Sequence, residues 1–253
     1  MQRTRIEWCD YAVNPVKGLC PVDCKDNHGK SYCYARSIYK RFKLNPEIRF
    51  DEYALKGIDK IPEGSIIFVG STMELFGEWI KPAWINYIFE YCWLYPEHIF
   101  VFLTKKPENL YKWSPFPDNC WVGVSVITKM QLFPACWVLG DIQCNVKFIS
   151  FEPLLENVIP PVLPAEWDDI VQPINWVIIG QKTPYSPKTA PQIEWIDEII
   201  QAAHTSNIPV FLKDNLKPII FKDALSKQYA LDKDFLNWKG ELRQEFPRLE
   251  NKP

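Results

Sequence analysis

Cys20, Cys24 and Cys33 stand within fourteen residues of one another, in the segment Gly18-Leu19-Cys20-Pro21-Val22-Asp23-Cys24-Lys25-Asp26-Asn27-His28-Gly29-Lys30-Ser31-Tyr32-Cys33. The polar flanks and the Gly and Pro residues make poor core, so three thiols here point to ligation and not to burial. Three thiolates on one loop can hold a soft metal centre, and an odd ligand count leaves one position open for chemistry. Two metals compete. With His28 included the spacing is C-x3-C-x3-H-x4-C, four ligands that suit a closed tetrahedral zinc site in a nucleic-acid or protein interaction module. Without His28, the three cysteines ligate three irons of a 4Fe–4S cluster and leave the fourth iron to an external ligand. The other five cysteines are scattered singly, and eight in 253 residues are too few for a disulfide framework.

The elements that must position this loop follow from the hydrophobic pattern. From residue 65 onward, short β-branched runs alternate with segments of helical period, which predicts repeated βα units around a mostly parallel sheet. The strand runs are 65–70, 99–103, 120–125, 146–151, 176–180 and 210–212. Between them Ile85, Ile88, Phe89, Cys92 and Trp93, and later Ile193, Ile196, Ile199, Ile200 and Ala203, recur at helical spacing and read as core-facing stripes. An amphipathic helix is expected over about residues 31–42, entered from the cysteine loop. Nearly every strand run is followed at once by small polar or charged residues: Ser71, Thr72 and Glu74, then Thr104 and Lys105, then Ser125, then Ser150 and Glu152, then Gln181, and finally Lys213 and Asp214. In a parallel barrel these positions converge on the carboxyl-end rim, where barrel enzymes place their chemistry.

Composition bounds the class. With 47% hydrophobic, 24% charged and 15% aromatic residues the chain is an ordered globular protein, and no apolar run is long enough to span a bilayer. The first residues carry positive charge but no apolar stretch follows them, so a signal peptide is not expected and a cytoplasmic location is. A net charge of −2 gives no general attraction to phosphate backbones, so nucleic acid is not supported as a partner by charge; Arg36, Lys40, Arg41 and Lys43 read as a solvated helix face. The length sits at the lower edge of what a complete α/β barrel needs. A barrel over residues 1–213 and a cap or tail over 214–253, mixed in charge and weakly helical near residues 224–229, account for the chain.

The C-x3-C spacing with an aromatic residue before the third cysteine, Tyr32-Cys33, resembles the radical S-adenosylmethionine enzymes. More narrowly, the chain is similar to an uncharacterised phage and microbial family related to that superfamily, with spore photoproduct lyase a more distant relative. The similarity rests on Ile6-Glu7-Trp8, Asn14-Pro15-Val16, Cys33-Tyr34-Ala35, Phe68-Val69-Gly70-Ser71, Leu103-Thr104-Lys105-Lys106-Pro107-Glu108, Trp121-Val122-Gly123-Val124-Ser125-Val126, Ser150-Phe151-Glu152-Pro153-Leu154-Leu155 and Trp176-Val177-Ile178-Ile179-Gly180. The resemblance implies a partial (β/α) barrel of six or seven mostly parallel strands, which the short length suits. It implies a 4Fe–4S cluster on Cys20, Cys24 and Cys33, with S-adenosylmethionine on the open iron. It implies an electron donor of the ferredoxin or flavodoxin type, and cleavage to a 5′-deoxyadenosyl radical that takes hydrogen from a substrate. Tyr32 and Tyr34 would pack the cluster. Gly70, Ser71, Thr72 and Glu74 fall where the superfamily binds the methionyl amino group. Ser125 and Ser150 would lie nearer the ribose or the carboxylate, Gln181 would bind the cofactor where it meets the substrate, and Lys105, Glu152 and Lys213 would face the substrate. A barrel of this kind that binds without turnover is the remaining alternative. The gap of eight residues between Cys24 and Cys33 is wider than the superfamily's more common two, so residues 25–32 must form an excursion that returns Cys33 to its partners.

Overall fold

A computed structural model of the chain describes residues 3–26, 28–160, 171–226, 235–237 and 239–248, the side chains of 222–226 excepted. The chain is an α/β protein whose sheet has the strand order of a partial (β/α) barrel. Seven strands, β1 Tyr11–Val13, β4 Ile66–Val69, β5 Ile99–Thr104, β6 Cys120–Ser125, β7 Val146–Phe151, β8 Trp176–Ile179 and β9 Val210–Leu212, follow one another in that order. The pairs β1 with β4, β4 with β5, β7 with β8 and β8 with β9 are parallel. A two-stranded antiparallel ribbon, β2 Val16–Lys17 with β3 Arg49–Phe50, brackets the cysteine segment. The described α-helices are α1 Tyr34–Phe42, α2 Pro82–Leu94, α3 Lys129–Asp141, α4 Ile193–Thr205 and α5 Lys217–Ser226, with short 3-10 helices at Glu52–Leu55, Ile58–Lys60, Pro107–Trp113 and Asp214–Leu216.

The strand runs are apolar because a parallel sheet is covered on both faces. All six residues of β6 and all four of β8 are buried. The stripe on α4 is as the spacing predicts: Ile193, Ile196, Ile199, Ile200 and Ala203 are buried. On α2 the stripe is narrower than expected. Ile85, Ile88, Phe89 and Cys92 are buried, but Trp93 turns away and is 62% exposed, because position 93 lies 100° round the helix from Cys92. The strand at β1 adds a member that the apolar runs from residue 65 onward do not include. The expected weak helix near 224–229 overlaps the end of α5, and its residues 227–229 lie outside the described residues. No helix among the described residues is long and apolar enough to cross a membrane.

The chain divides into two compact units, residues 1–123 with 142–145 and residues 124–141 with 146–253. In the first, Phe76, Phe89, Phe102 and Phe116 form an aromatic cluster with ring centroids 5.7–6.1 Å apart. In the second, Trp176 contacts Phe148, Phe211 and Phe246. Phe246 arrives because the C-terminal segment runs antiparallel to β9: Leu212 N donates to Arg243 O at 2.8 Å, and Glu245 N to Val210 O at 3.0 Å.

Candidate functional site

In the first unit, the cysteine loop leaves β2 through Gly18 and returns through α1. Residues 25–32 are a small hairpin. Lys25 and Ser31 form an antiparallel bridge, Asp26 N donates to Lys30 O at 2.9 Å, and Tyr32 N donates to Cys24 O at 3.0 Å. The buried Asp26 carboxylate closes the turn by accepting from the amides of His28 at 3.0 Å and Lys30 at 2.9 Å. The long second gap is thereby folded away, and Cys33 returns beside Cys24. The guanidinium of Arg36 braces the first limb, donating to Cys20 O at 2.9 Å and Val22 O at 3.4 Å.

Each sulfur has its own environment. Cys33 is the N-cap of α1, and its Sγ accepts from Arg36 N at 3.4 Å. The Cys24 thiol has Val22 O at 4.0 Å and Cys33 as acceptors within reach, and the bond to Cys33, with the amides of Arg36 and Ala35, lowers the Cys33 thiol to about 6. The same bond, followed by burial, raises Cys24, with the Lys105 ammonium opposing. The pair thus shares one proton, held by Cys24. Cys20 accepts from Glu74 N at 3.4 Å, and burial raises its thiol. Burial, then the nearby Cys24, raises the Tyr32 phenol.

The turn after β4 lies against this loop. Gly70 N donates to Val13 O at 2.8 Å. Asn14, at the end of β1, accepts from Thr72 N and Thr72 Oγ1, both at 2.9 Å, and donates to Ser71 Oγ at 3.1 Å. Tyr34 donates its hydroxyl to Ser71 O at 2.9 Å, tying α1 to the same turn. Glu74 is buried, and its carboxylate accepts from Thr104 Oγ1 at 2.7 Å, Lys105 N at 2.7 Å and Phe76 N at 3.1 Å. It joins the ends of β4 and β5. The first unit therefore gathers Cys20, Cys24, Cys33, Tyr32, Tyr34, Gly70, Ser71, Thr72, Glu74 and Lys105.

The second unit holds the remaining candidates. Register places Ser150 beside Ile178 and Ile178 beside Phe211, so Ser150 on β7, Glu152 just after it, Gly180 after β8 and Lys213 after β9 fall on one face. Lys213 Nζ and Glu152 Oε1 form an ion pair at 2.5 Å with both side chains largely covered. The pair lies across Gly180, where a Cβ would sit 3.0 Å from Lys213 and 3.1 Å from Glu152. Gln181 is held by Asn215, donating its backbone N to Asn215 Oδ1 at 3.2 Å and its amide to Asn215 O. Ser150 Oγ and Gln181 Oε1 are buried with no hydrogen-bond partner among the described residues. Ser125 is buried at the end of β6.

Among the described residues no group of three or more His, Cys, Asp or Glu side chains stands ready-arranged around a metal position. His28 is exposed in its turn, where its backbone N–H is given to Asp26. The donor chemistry of the three cysteines still suits an iron–sulfur centre: two sulfurs in contact, a third within reach of their charge, and backbone amides aimed at Cys20 and Cys33. The orphaned Ser150 and Gln181 oxygens suit a ligand rich in hydroxyl and amino groups. Asn14, Asp26 and Arg36 in the first unit and Asn215 in the second hold candidate residues of their own unit and were not singled out by the sequence for that task. Their partners lie far along the chain or on backbone atoms, which no residue pattern reveals.

A comparison with curated proteins finds no match. The family model described as a protein of unknown function (DUF5131) matches residues 3–232, and the chain belongs to that family.

Proposed function

We propose that this protein is a radical S-adenosylmethionine enzyme, in which Cys20, Cys24 and Cys33 hold a 4Fe–4S cluster and S-adenosylmethionine is cleaved reductively to start hydrogen abstraction from a substrate. The observation that carries the reading is the hairpin at residues 25–32, which brings Cys33 back to Cys24 despite the long gap between them. A cluster with an open iron supplies one-electron reduction of the sulfonium, and the protein supplies position and exclusion of water.

Each residue then has a physical task. The amides of Glu74 and Arg36 donate to the Cys20 and Cys33 sulfurs, which holds negative charge on thiolates and tunes the potential. Lys105 adds positive charge beside Cys24. Tyr32, half-buried, interacts with Cys24 and feels the charge of Cys33. Asn14 keeps Ser71 and Thr72 in the conformation that would meet the methionyl end. The Glu74 carboxylate already serves three donors, so its task is to hold the ends of β4 and β5, and the turn's contact with ligand falls to Ser71, Thr72 and the backbone. In the second unit, taken by itself, Ser150 Oγ, Gln181 Oε1 and the Glu152–Lys213 pair are the polar groups proposed to meet a ligand. A reducing cytoplasm keeps the three thiols available.

Anaerobic reconstitution with iron and sulfide, followed by reduction and assay for 5′-deoxyadenosine, tests the reading. The wild-type chain is expected to turn brown, bind about four irons of the cluster type described, and release 5′-deoxyadenosine; Cys24→Ala is expected to release none. A wild-type chain that holds the cluster and still forms no product when reduced sinks the catalytic reading.

A further inference from the structure

α1 is built the wrong way round for a helix that only covers a core. Of its nine residues only Ala35 is buried. Tyr34, Ile38 and Phe42 fall at i, i+4 and i+8, so they form one apolar stripe along the helix. Ile38 at 37% and Phe42 at 61% exposed face outward, and Tyr34 leaves 54% of its surface exposed while its hydroxyl is given to Ser71 O. Leu44, at 45%, extends the stripe beyond the helix end. The inner side is held by Ala35 and by Tyr39, whose hydroxyl accepts from Gly18 N at 2.7 Å. Large apolar side chains arranged in a continuous exposed row mark a surface that meets a partner.

The charge around the stripe says what kind of partner. Residues 17–49 carry eight Lys and Arg against three Asp and Glu, a net of +5 in a chain whose total is −2, so the remaining sequence carries −7. Lys40, Arg41 and Lys43 are exposed beside the stripe, and the Arg41 guanidinium lies 5.3 Å from the Phe42 ring centroid. The sequence reading of these cations as an ordinary solvated face does not account for the apolar row they flank. The position of the stripe narrows the partner further, because Cys33 caps the N-terminus of α1 and the helix spans only about 14 Å.

We infer that the outer face of α1 is the docking surface for an acidic electron-carrier protein, which seats an apolar patch on Ile38 and Phe42 while its carboxylates meet Lys40, Arg41 and Lys43. The inference rests on the cluster reading above and extends it to the partner. One electron leaves the carrier's reduced flavin or iron–sulfur centre and enters the cysteine-held cluster; no bond forms or breaks, and the carrier departs oxidised by one electron. The combination of i, i+4, i+8 anchors with a rim of one charge is that of a helix received by a protein groove. Single-stranded nucleic acid is less well served, since the two rings of the stripe, Tyr34 and Phe42, stand about 12 Å apart along the helix with Ile38 between them, too far for successive bases to stack on both.

The test measures affinity separately from activity. Wild-type chain, both reconstituted and prepared without metal, is titrated with oxidised flavodoxin and with an acidic plant-type ferredoxin at low and high salt. Binding of either carrier that weakens with salt is expected. It should weaken about tenfold or more in the double variant Lys40→Glu, Arg41→Glu and by a similar factor in Phe42→Ala, while Glu47→Lys should tighten it. In reconstituted chain the charge-reversed variant should be reduced slowly by the carrier and at the wild-type rate by dithionite. Carrier affinity unchanged in all three variants overturns the docking surface, as does binding of a single-stranded oligonucleotide with no binding of either carrier. A chain that accepts no cluster overturns the cluster reading instead, and is recognised by its iron content before any carrier is added.

Discussion

At the scale of residues, the hydrogen bond from Cys24 to Cys33 decides how the loop behaves toward protons and electrophiles. Cys33 is lowered from 9.0 to about 6, so its ionised form is favoured in the folded chain. The stabilisation it brings is complete above the ordinary thiol value and is lost as the pH falls through about 6. In chain prepared without metal, iodoacetamide should label Cys33 with half-maximal rate near pH 6, and Cys24→Ala should move that midpoint upward toward the usual thiol range. Mass spectrometry of the labelled peptide reads the outcome; two thiols that both titrate as ordinary cysteines would remove the shared proton from the account. The three cysteines were legible from spacing and flanking composition alone. Arg36 was not, because a cation followed by Lys40 and Arg41 on a helix has the pattern of a solvated face, and its hydrogen bonds end on the carbonyls of Cys20 and Val22. Asn14 was equally hidden, since the side chains it holds are 57 and 58 positions away.

Among the elements, the β2–β3 ribbon sets where the cysteine loop begins. Gly18 follows β2 with φ of 120°, and a Cβ there would meet Glu47 O at 2.6 Å and Ile48 Cα at 2.7 Å. Both obstacles are backbone and cannot swing aside. Gly18→Ala should cost about 2–4 kcal/mol in urea unfolding, whereas Gly64→Ala, with φ of 75° and nothing within 4 Å of its Cβ, should cost only about 1 kcal/mol. Equal costs at the two sites would mean that the approach of the backbone just before β3 to Gly18 is not what holds the loop. The parallel strands were readable because burial on both faces demands uninterrupted apolar runs, as in Trp176-Val177-Ile178-Ile179. β1 has only three residues and runs straight into Asn14 and Pro15, so it lacks the length that makes a run visible. The hairpin at 25–32 was required by the ligand assignment but had no strand pattern of its own, being held by one bridge and the Asp26 carboxylate.

For the molecule as a whole, the C-terminal segment closes an edge that would otherwise stay open. Residues 243–245 hydrogen-bond to β9, Trp176 Nε1 donates to Glu245 O at 2.7 Å, and Phe246 stacks on Trp176 at 5.4 Å. Truncation after residue 234 should therefore remove about 2–4 kcal/mol and leave β9 able to pair with other chains. A thermal melt and light scattering follow both effects; a truncated chain as stable and monodisperse as the full one would show the segment to be dispensable. The sulfur of Cys33 reaches further than its own loop. It is at once a proposed cluster ligand and the acceptor that starts α1. Whatever changes the electron density on that sulfur alters the helix cap, and whatever settles the helix alters the sulfur. If a carrier prefers the helix with its cap intact, thermodynamic reciprocity demands that loading the loop and docking the carrier change each other's affinity by the same factor. The protein would then advertise on its surface whether it is ready to receive an electron.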